Sequence, residues 1–323
     1  MVNPLPGIPL QPCPICFGTA QFSPRLSPDR SFALLDSYVE QGGNFLDTAP
    51  VYSAWLDEGW GSSERTIGDW LQARGARKSI ILATKGGHPP WGSQLDTGLL
   101  SPADLDRDVN ESLARLRVDR IDLYWLHRDE PARPVGEIIE TLSGLVRDGR
   151  IRTYGASNWT TARIQEANSY ARAHQLPPFV ASQPWFSLAA VARGAQSDSP
   201  TREDDDPLRA WHLRSRLPLL PYSSQANGYF GADNVAWAHA GFEGAPPRAE
   251  RLDSPANRRR LQRAIELSRS KGVTANQVAL AYLLSQPFPV FPIIGTGSLY
   301  HLREAMSARD LRLTPDEIAS LFS

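Results

Sequence analysis

What most restricts the fold of this chain is an alternation. Short apolar, β-branched runs recur at 16–19, 44–49, 79–85, 121–127, 153–158, 179–186, 217–223 and 289–295. Helical periodicity fills nearly every gap. Phe32, Leu35 and Val39 line one face of 29–41, and Ile67 and Leu71 stand four apart in 62–74. Leu105, Val109, Leu113 and Leu116 follow a Ser101-Pro102 start, the pairing that caps and opens a helix. Val135, Ile138, Ile139, Leu142, Leu145 and Val146 form a broad stripe closed by Gly149. Helices are expected again at 160–174, 205–214, 258–271, 274–286 and 299–308. Thr274 and Gln277 spell a capping box.

Strands that alternate with helices pair in parallel, since each crossover returns the chain to the same end of the sheet. Eight strands in 323 residues fit one (β/α)8 TIM barrel, a single α/β domain over 1–323 with extra helices and long mouth loops. Its active site would lie at the C-terminal strand ends. A doubly wound sheet is the rival architecture. It would want GxGxxG after the first strand, which Gly18-Thr19-Ala20 does not supply.

Composition narrows the partners. A chain 41% hydrophobic and 21% charged can fill a large core. A net charge of -1 argues against nucleic acid or an anionic membrane as partner, because both need a basic excess. No apolar run approaches the roughly 20 residues of a membrane-spanning helix. Residues 1–11 are Pro-rich without the pattern of a signal peptide, so a cytoplasmic location is expected, as a monomer or homo-oligomer. Cys13 and Cys16 form a CxxC. Zinc would need two further ligands, and a redox pair usually opens a helix, so two ordinary thiols are the expectation. The stretch 193–207 carries Asp204-Asp205-Asp206, readable as a metal site but better as a solvated loop; no metal is expected. The stretch 229–257 reads as a long loop after the seventh strand, placed to act as a cofactor lid.

The strand ends carry the chemistry. Asp47 closes the second strand and Tyr52 follows it. Lys85 ends the third and His127 the fourth. A buried Asp is costly alone and a phenol is a poor acid at neutral pH, but together they make a device. Lys85 beside the Tyr52 hydroxyl would favour phenolate and lower its pKa, and Asp47 would offset the burial of Lys85. His127 would offer a ring nitrogen to a substrate oxygen. Such a general acid/base suits carbonyl reduction, with hydride borrowed from a nicotinamide.

Asp47-Thr48-Ala49-x-x-Tyr52, Ala83-Thr84-Lys85 and Leu123-x-x-Leu126-His127 resemble the tetrad motifs of the aldo-keto reductase superfamily, in its bacterial-type form, and the resemblance runs from Gly18 to Glu304. It implies a (β/α)8 barrel, NADP(H), and reversible reduction of aldehydes or ketones with Tyr52 as general acid/base. By the same resemblance, Ser157, Asn158 and Gln183 would hold the nicotinamide carboxamide and Tyr222 would stack on its ring. Ser223, Ser224, Gln225 and Gly228 would meet the pyrophosphate, Gly18 and Thr19 the nicotinamide ribose, and Asp47 would also count among the cofactor-binding residues.

The segment 293–298 followed by a helix is a Gly-rich turn onto a helix N-terminus, either an anion site or an ordinary turn. The resemblance implies that Gly295, Thr296, Gly297, Ser298 and His301 read the adenosine 2′-phosphate and that Glu304 meets adenine. His301 stands where Arg is frequent and Ala305 where Asn is frequent, which keeps NADH as a second cofactor. Ala20 replaces a bulky aromatic of some members. Trp55, Trp60, Trp91 and Trp159, with His88, would join Tyr52 and His127 around the substrate, either a sugar or polyhydroxy aldehyde of carbohydrate metabolism or a general small aldehyde.

Two other functions stand beside this one. One is a cofactor-bound regulatory subunit of the same fold without turnover. The other is a metal hydrolase, for which the six histidines are too scattered.

Overall fold

The inner wall of the molecule is a sheet in which every pairing is parallel. The computed structural model describes residues 5–22, 26–93, 98–190, 207–242 and 252–323. Its strands are β1 (Cys16–Gly18), β2 (Phe45–Asp47), β3 (Ile81–Gly86), β4 (Ile121–Leu126), β5 (Ile151–Ser157), β6 (Ser182–Gln183) and β7 (Ile293–Ile294). They lie in the order β6-β5-β4-β3-β2-β1-β7. The expected seventh strand at 217–223 is reduced to single bridges. Leu219 pairs in parallel with Ser182 on one side and Val290 on the other, which closes the ring as a (β/α)8 barrel. Pro218 and Pro221 explain the reduction, because a proline brings no N–H to the ladder.

Helices α1 (Pro28–Glu40), α2 (Ser62–Arg74), α3 (Pro102–Leu116), α4 (Val135–Arg147), α5 (Thr161–Ala173) and α6 (Pro207–Ser215) follow the first six strands. After the bridged segment come α7 (Ala232–His239), α8 (Pro255–Lys271) and α9 (Ala275–Leu284), then α10 (Leu299–Met306) and α11 (Pro315–Ser320) after β7. Caps set these boundaries. Ser101 accepts from the Asp104 N–H with Pro102 at the first turn, and the Thr274–Gln277 capping box is formed. A second box, Thr314–Glu317, starts α11, which the sequence reading leaves out. The stretch 229–257 is not one loop, since it contains α7; residues 243–251 of it, and Asp204-Asp205-Asp206, lie outside the described residues.

A strand's side chains alternate between faces. One set (Cys16, Phe45, Ile81, Ala83, Leu123, Trp125, Ala181, Leu220, Phe291 and Ile293) forms a single interior cluster. The opposite set, including Phe17, Leu46, Leu82, Tyr124, Leu126 and Tyr154, packs under the helices. Leu5 and Ile8 join the interior cluster, so the Pro-rich N-terminal stretch is part of the core. Cys13 and Cys16 are buried free thiols, and burial pushes both above the ordinary thiol range. Among the described residues no helix is long and apolar enough to cross a membrane, and no cluster of metal ligands occurs.

One buried histidine gives the fold a pH dependence. The His212 ring meets Ser182 Oγ at 2.9 Å through Nε2, donates from Nδ1 to the Leu217 carbonyl at 2.7 Å, and stacks on Phe288. Burial pushes its pKa from the ordinary 6.5 down to about 4, although the carbonyl opposes this. As pH falls below 6.5 the unfolded chain therefore takes up the proton before the folded one. The stabilisation is complete above pH 6.5 and is lost between 6.5 and about 4, amounting to about 3 kcal/mol from this residue. Urea unfolding across that range should show the loss, and His212→Gln should flatten it. Equal pH slopes in the two proteins would contradict the assignment.

Candidate active site

Continue the interior alternation two residues further along each strand and the candidate site appears. Phe45 leads to Asp47, Ala83 to Lys85, Trp125 to His127, Ala181 to Gln183, Leu220 to Tyr222 and Ile293 to Gly295. The register pairs Gly18 with Asp47, and Lys85 with Trp125, one step before His127. Pleating alone therefore brings distant sequence positions to one mouth. Gly18 is needed for close packing, as a Cβ there would lie 2.7 Å from Ile293 Cγ2.

The Lys85 ammonium donates to Asp47 Oδ1, and to the Thr48 carbonyl at 3.0 Å. Gln183 donates to Asp47 Oδ2 at 2.9 Å, and the Tyr52 hydroxyl donates to Oδ1 at 3.3 Å. Asp47 and Lys85 are each only 1% exposed, so their charges survive only as a pair. Burial lowers the pKa of Lys85, with Asp47 opposing. The expected depression of the Tyr52 pKa is not found: burial first, then the Asp47 carboxylate that accepts its proton, hold it well above the ordinary phenol value. Lys85 faces the Tyr52 ring, 5.2 Å from its centroid, and donates to oxygens other than the phenol's. Tyr52 is thus kept as the phenol, the form able to give a proton.

The His127 ring stands edge-on to Tyr52, centroids 6.4 Å apart. Burial, then His88, Lys85 and Arg128, press its pKa well below 6.5, so it is a neutral imidazole at physiological pH. Among the described residues its Nδ1 is buried without a partner, which leaves Nε2 for a ligand in the cleft. His88 is a buried neighbour of His127, centroids 4.8 Å apart, with Nδ1 at 2.6 Å from the Pro89 carbonyl.

A cleft of about 2020 Å3 runs from Tyr52, Lys85 and His127 to Glu304. Gly18, Ser157, Asn158, Gln183, Tyr222, Ser223, Ser224, Gln225 and Gly228 line it, as do Gly295, Thr296, Gly297, Ser298 and His301. Asn158 accepts from the Tyr222 hydroxyl at 2.8 Å and donates to the His127 carbonyl at 3.2 Å, fixing the aromatic wall to the catalytic end. Along that wall Ser223, Ala226, Asn227 and Gly228 all have positive φ. Three of the four are not glycine, so strained backbone is gathered in one compact stretch of the wall, where the Ala226 and Gly228 N–H groups donate to the Ser223 and Gln225 carbonyls within the turn. The size and the donors fit a nicotinamide dinucleotide.

Several expected residues stand elsewhere. Thr19 is fully buried and bonds Ser63 Oγ at 2.7 Å and the Asp47 carbonyl, so its side chain braces the β1 and β2 ends. Asp47 lies behind Lys85, outside the cleft lining. Trp159 is a core residue, 2% exposed, packed edge-on to Phe179. Trp55 and Trp91 are more than half exposed and lean on each other at 5.3 Å, and Trp60 is exposed; none lines the cleft. Residues the sequence reading passes over do line it: Gln21, Arg30, Arg128, Trp185, Asn276 and the first turns of α7. Arg128 was legible as the neighbour of His127. Arg30 and α7 were not, because only tertiary packing brings them there.

The family model described as Aldo/keto reductase family matches residues 14–323. Norsolorinic acid reductase B of Aspergillus parasiticus is 29% identical over 98% of this chain and 81% of its own length. Aldo-keto reductase ausK of Emericella nidulans is 30% identical over 100% of this chain and 80% of its own. Aryl-alcohol dehydrogenase GME11368 of Pestalotiopsis microspora is 27% identical over 91% and 72%. These relatives are fungal.

Proposed function

Because the chain belongs to the aldo/keto reductase family and is an NAD(P)H-dependent carbonyl oxidoreductase, we propose that it reduces aryl aldehydes or ketones with NADPH, using Tyr52 as the proton donor. The observation that carries this reading is the protonated Tyr52 phenol, tied to the buried Asp47–Lys85 pair at one end of a dinucleotide-sized cleft. Bound nicotinamide supplies hydride to the carbonyl carbon. Tyr52 turns its proton from Asp47 to the carbonyl oxygen, and Lys85 beside its ring stabilises the phenolate that forms. His127, neutral, orients the same oxygen through Nε2. Ser157, Asn158 and Gln183 would hold the cofactor's carboxamide, and Tyr222 would cover its ring.

The aryl substrate class rests on two supports. Trp185, packed edge-on to Tyr222 at 5.8 Å, gives the cleft an aromatic face beside the ring that Tyr222 would cover, and one relative carries the name aryl-alcohol dehydrogenase. A sugar site would need tryptophan faces at the mouth, but Trp159 is core and Trp55, Trp60 and Trp91 lie outside the cleft. NADPH consumption should be followed with matched aryl, aliphatic and sugar aldehydes. Aryl substrates should lead sugars in kcat/KM by roughly tenfold or more, the effect of burying one aromatic ring. Sugar aldehydes in the lead would reverse the substrate class. Tight NADPH binding without turnover on any would make the protein a cofactor-bound regulatory subunit.

A further inference from the structure

The turn that opens α10 lines the cleft at a helix N-terminus but brings no cation of its own. Ser298 caps the helix by accepting from the His301 N–H at 3.5 Å, and Thr296 Oγ1 accepts from the Ser298 N–H at 3.0 Å. No Lys or Arg lies in 295–301. His301 sits 3.6 Å from Glu304, whose carboxylate also accepts from Thr274 at 2.6 Å and Asn276 at 3.3 Å. An imidazole facing that carboxylate is a poor anchor for a dianion.

The cleft is lined by one lysine and two arginines among the described residues: Lys85, Arg30 and Arg128. Lys85 is spent on Asp47, and Arg128 follows His127 at the opposite end. Arg30 lies in the first turn of α1, yet its Nε donates to the Gly297 carbonyl at 3.0 Å, across 267 positions of sequence. That contact uses one of five guanidinium N–H groups. The two terminal nitrogens make no other hydrogen bond or ion pair among the described residues. The guanidinium is thus moored to the turn by one N–H while its terminal edge stays available for bidentate contact with phosphate.

From this juxtaposition we infer that Arg30 binds a phosphate of the nicotinamide dinucleotide and holds it against the 296–298 turn. The inference rests on the proposed cofactor use. A helix-to-helix clamp between α1 and α10 would place the same residue there, but a clamp would affect melting and leave nucleotide affinity alone.

The test is a fluorescence titration of wild type, Arg30→Gln and Arg30→Lys with NADPH and with NADH, read from the cleft tryptophan and paired with thermal melts. Arg30→Gln should raise the Kd for NADPH roughly tenfold or more, the scale of a lost charge-assisted hydrogen bond, with melting unchanged. Arg30→Lys should fall between, keeping the charge but losing the fork. Weakening of NADPH alone assigns the contact to the 2′-phosphate; equal weakening of both nucleotides assigns it to the pyrophosphate. Either supports the inference. Tight wild-type binding with unchanged affinity in Arg30→Gln overturns the Arg30 role and leaves the reductase reading standing. Wild type binding neither nucleotide overturns both.

Discussion

Tyr52→Phe should lower turnover by roughly 10²- to 10⁴-fold, the range of a positioned proton donor, while NADPH binds as before. Phenylalanine keeps the ring over which Lys85 sits and the edge-on packing with His127. It removes only the hydroxyl that donates to Asp47. The burial that raises the Tyr52 pKa also makes the phenol the resting form, so its loss removes the donor itself. Single-turnover reduction with saturating NADPH separates this step from binding. Wild-type rates in Tyr52→Phe would move the proton donor elsewhere, with the neutral His127 the next group to examine.

Lys85→Met should cost about 3–5 kcal/mol of stability as well as activity, since it leaves the Asp47 carboxylate buried without its counter-ion. Gln183 and Tyr52 would still donate to that carboxylate, but neither carries a charge. Replacing both partners together, Lys85→Met with Asp47→Leu, should recover much of the stability and none of the turnover. Urea unfolding of the two single variants and the double variant measures the coupling. Strictly additive losses would show that the pair contributes no mutual stabilisation. A stable Lys85→Met protein would mean that Asp47 is not ionised in the fold.

The sequence was most readable where one period governs. Alternation along β2, β3 and β4 places Phe45 and Asp47, Ala83 and Lys85, Trp125 and His127 on the interior face, so the site follows from the same rule as the core. Capping chemistry was equally legible at Ser101-Pro102 and at Thr274 with Gln277. What failed depended on neighbours. The prolines at 218 and 221 cut the seventh strand to bridges, which apolar content alone does not reveal. Trp159 looks like a mouth aromatic until Phe179 covers it. The direction of the Tyr52 pKa shift is set by hydrogen-bond geometry that charge type alone does not reveal: the phenol meets the carboxylate, while the ammonium faces the ring. Arg30 carried no local signal, and α1 packing beside α10 is what puts it at the cleft.

Transfer of label is the most direct measurement of the central claim. The protein would be incubated with NADPH deuterated on its nicotinamide ring and with benzaldehyde, and the alcohol analysed by mass spectrometry and NMR. Deuterium on the carbinol carbon, formed by wild type and nearly absent with Tyr52→Phe, is the predicted result. Bound NADPH with no deuterium on carbon in any aldehyde tried would contradict it and leave a nucleotide-binding barrel without the reductase chemistry.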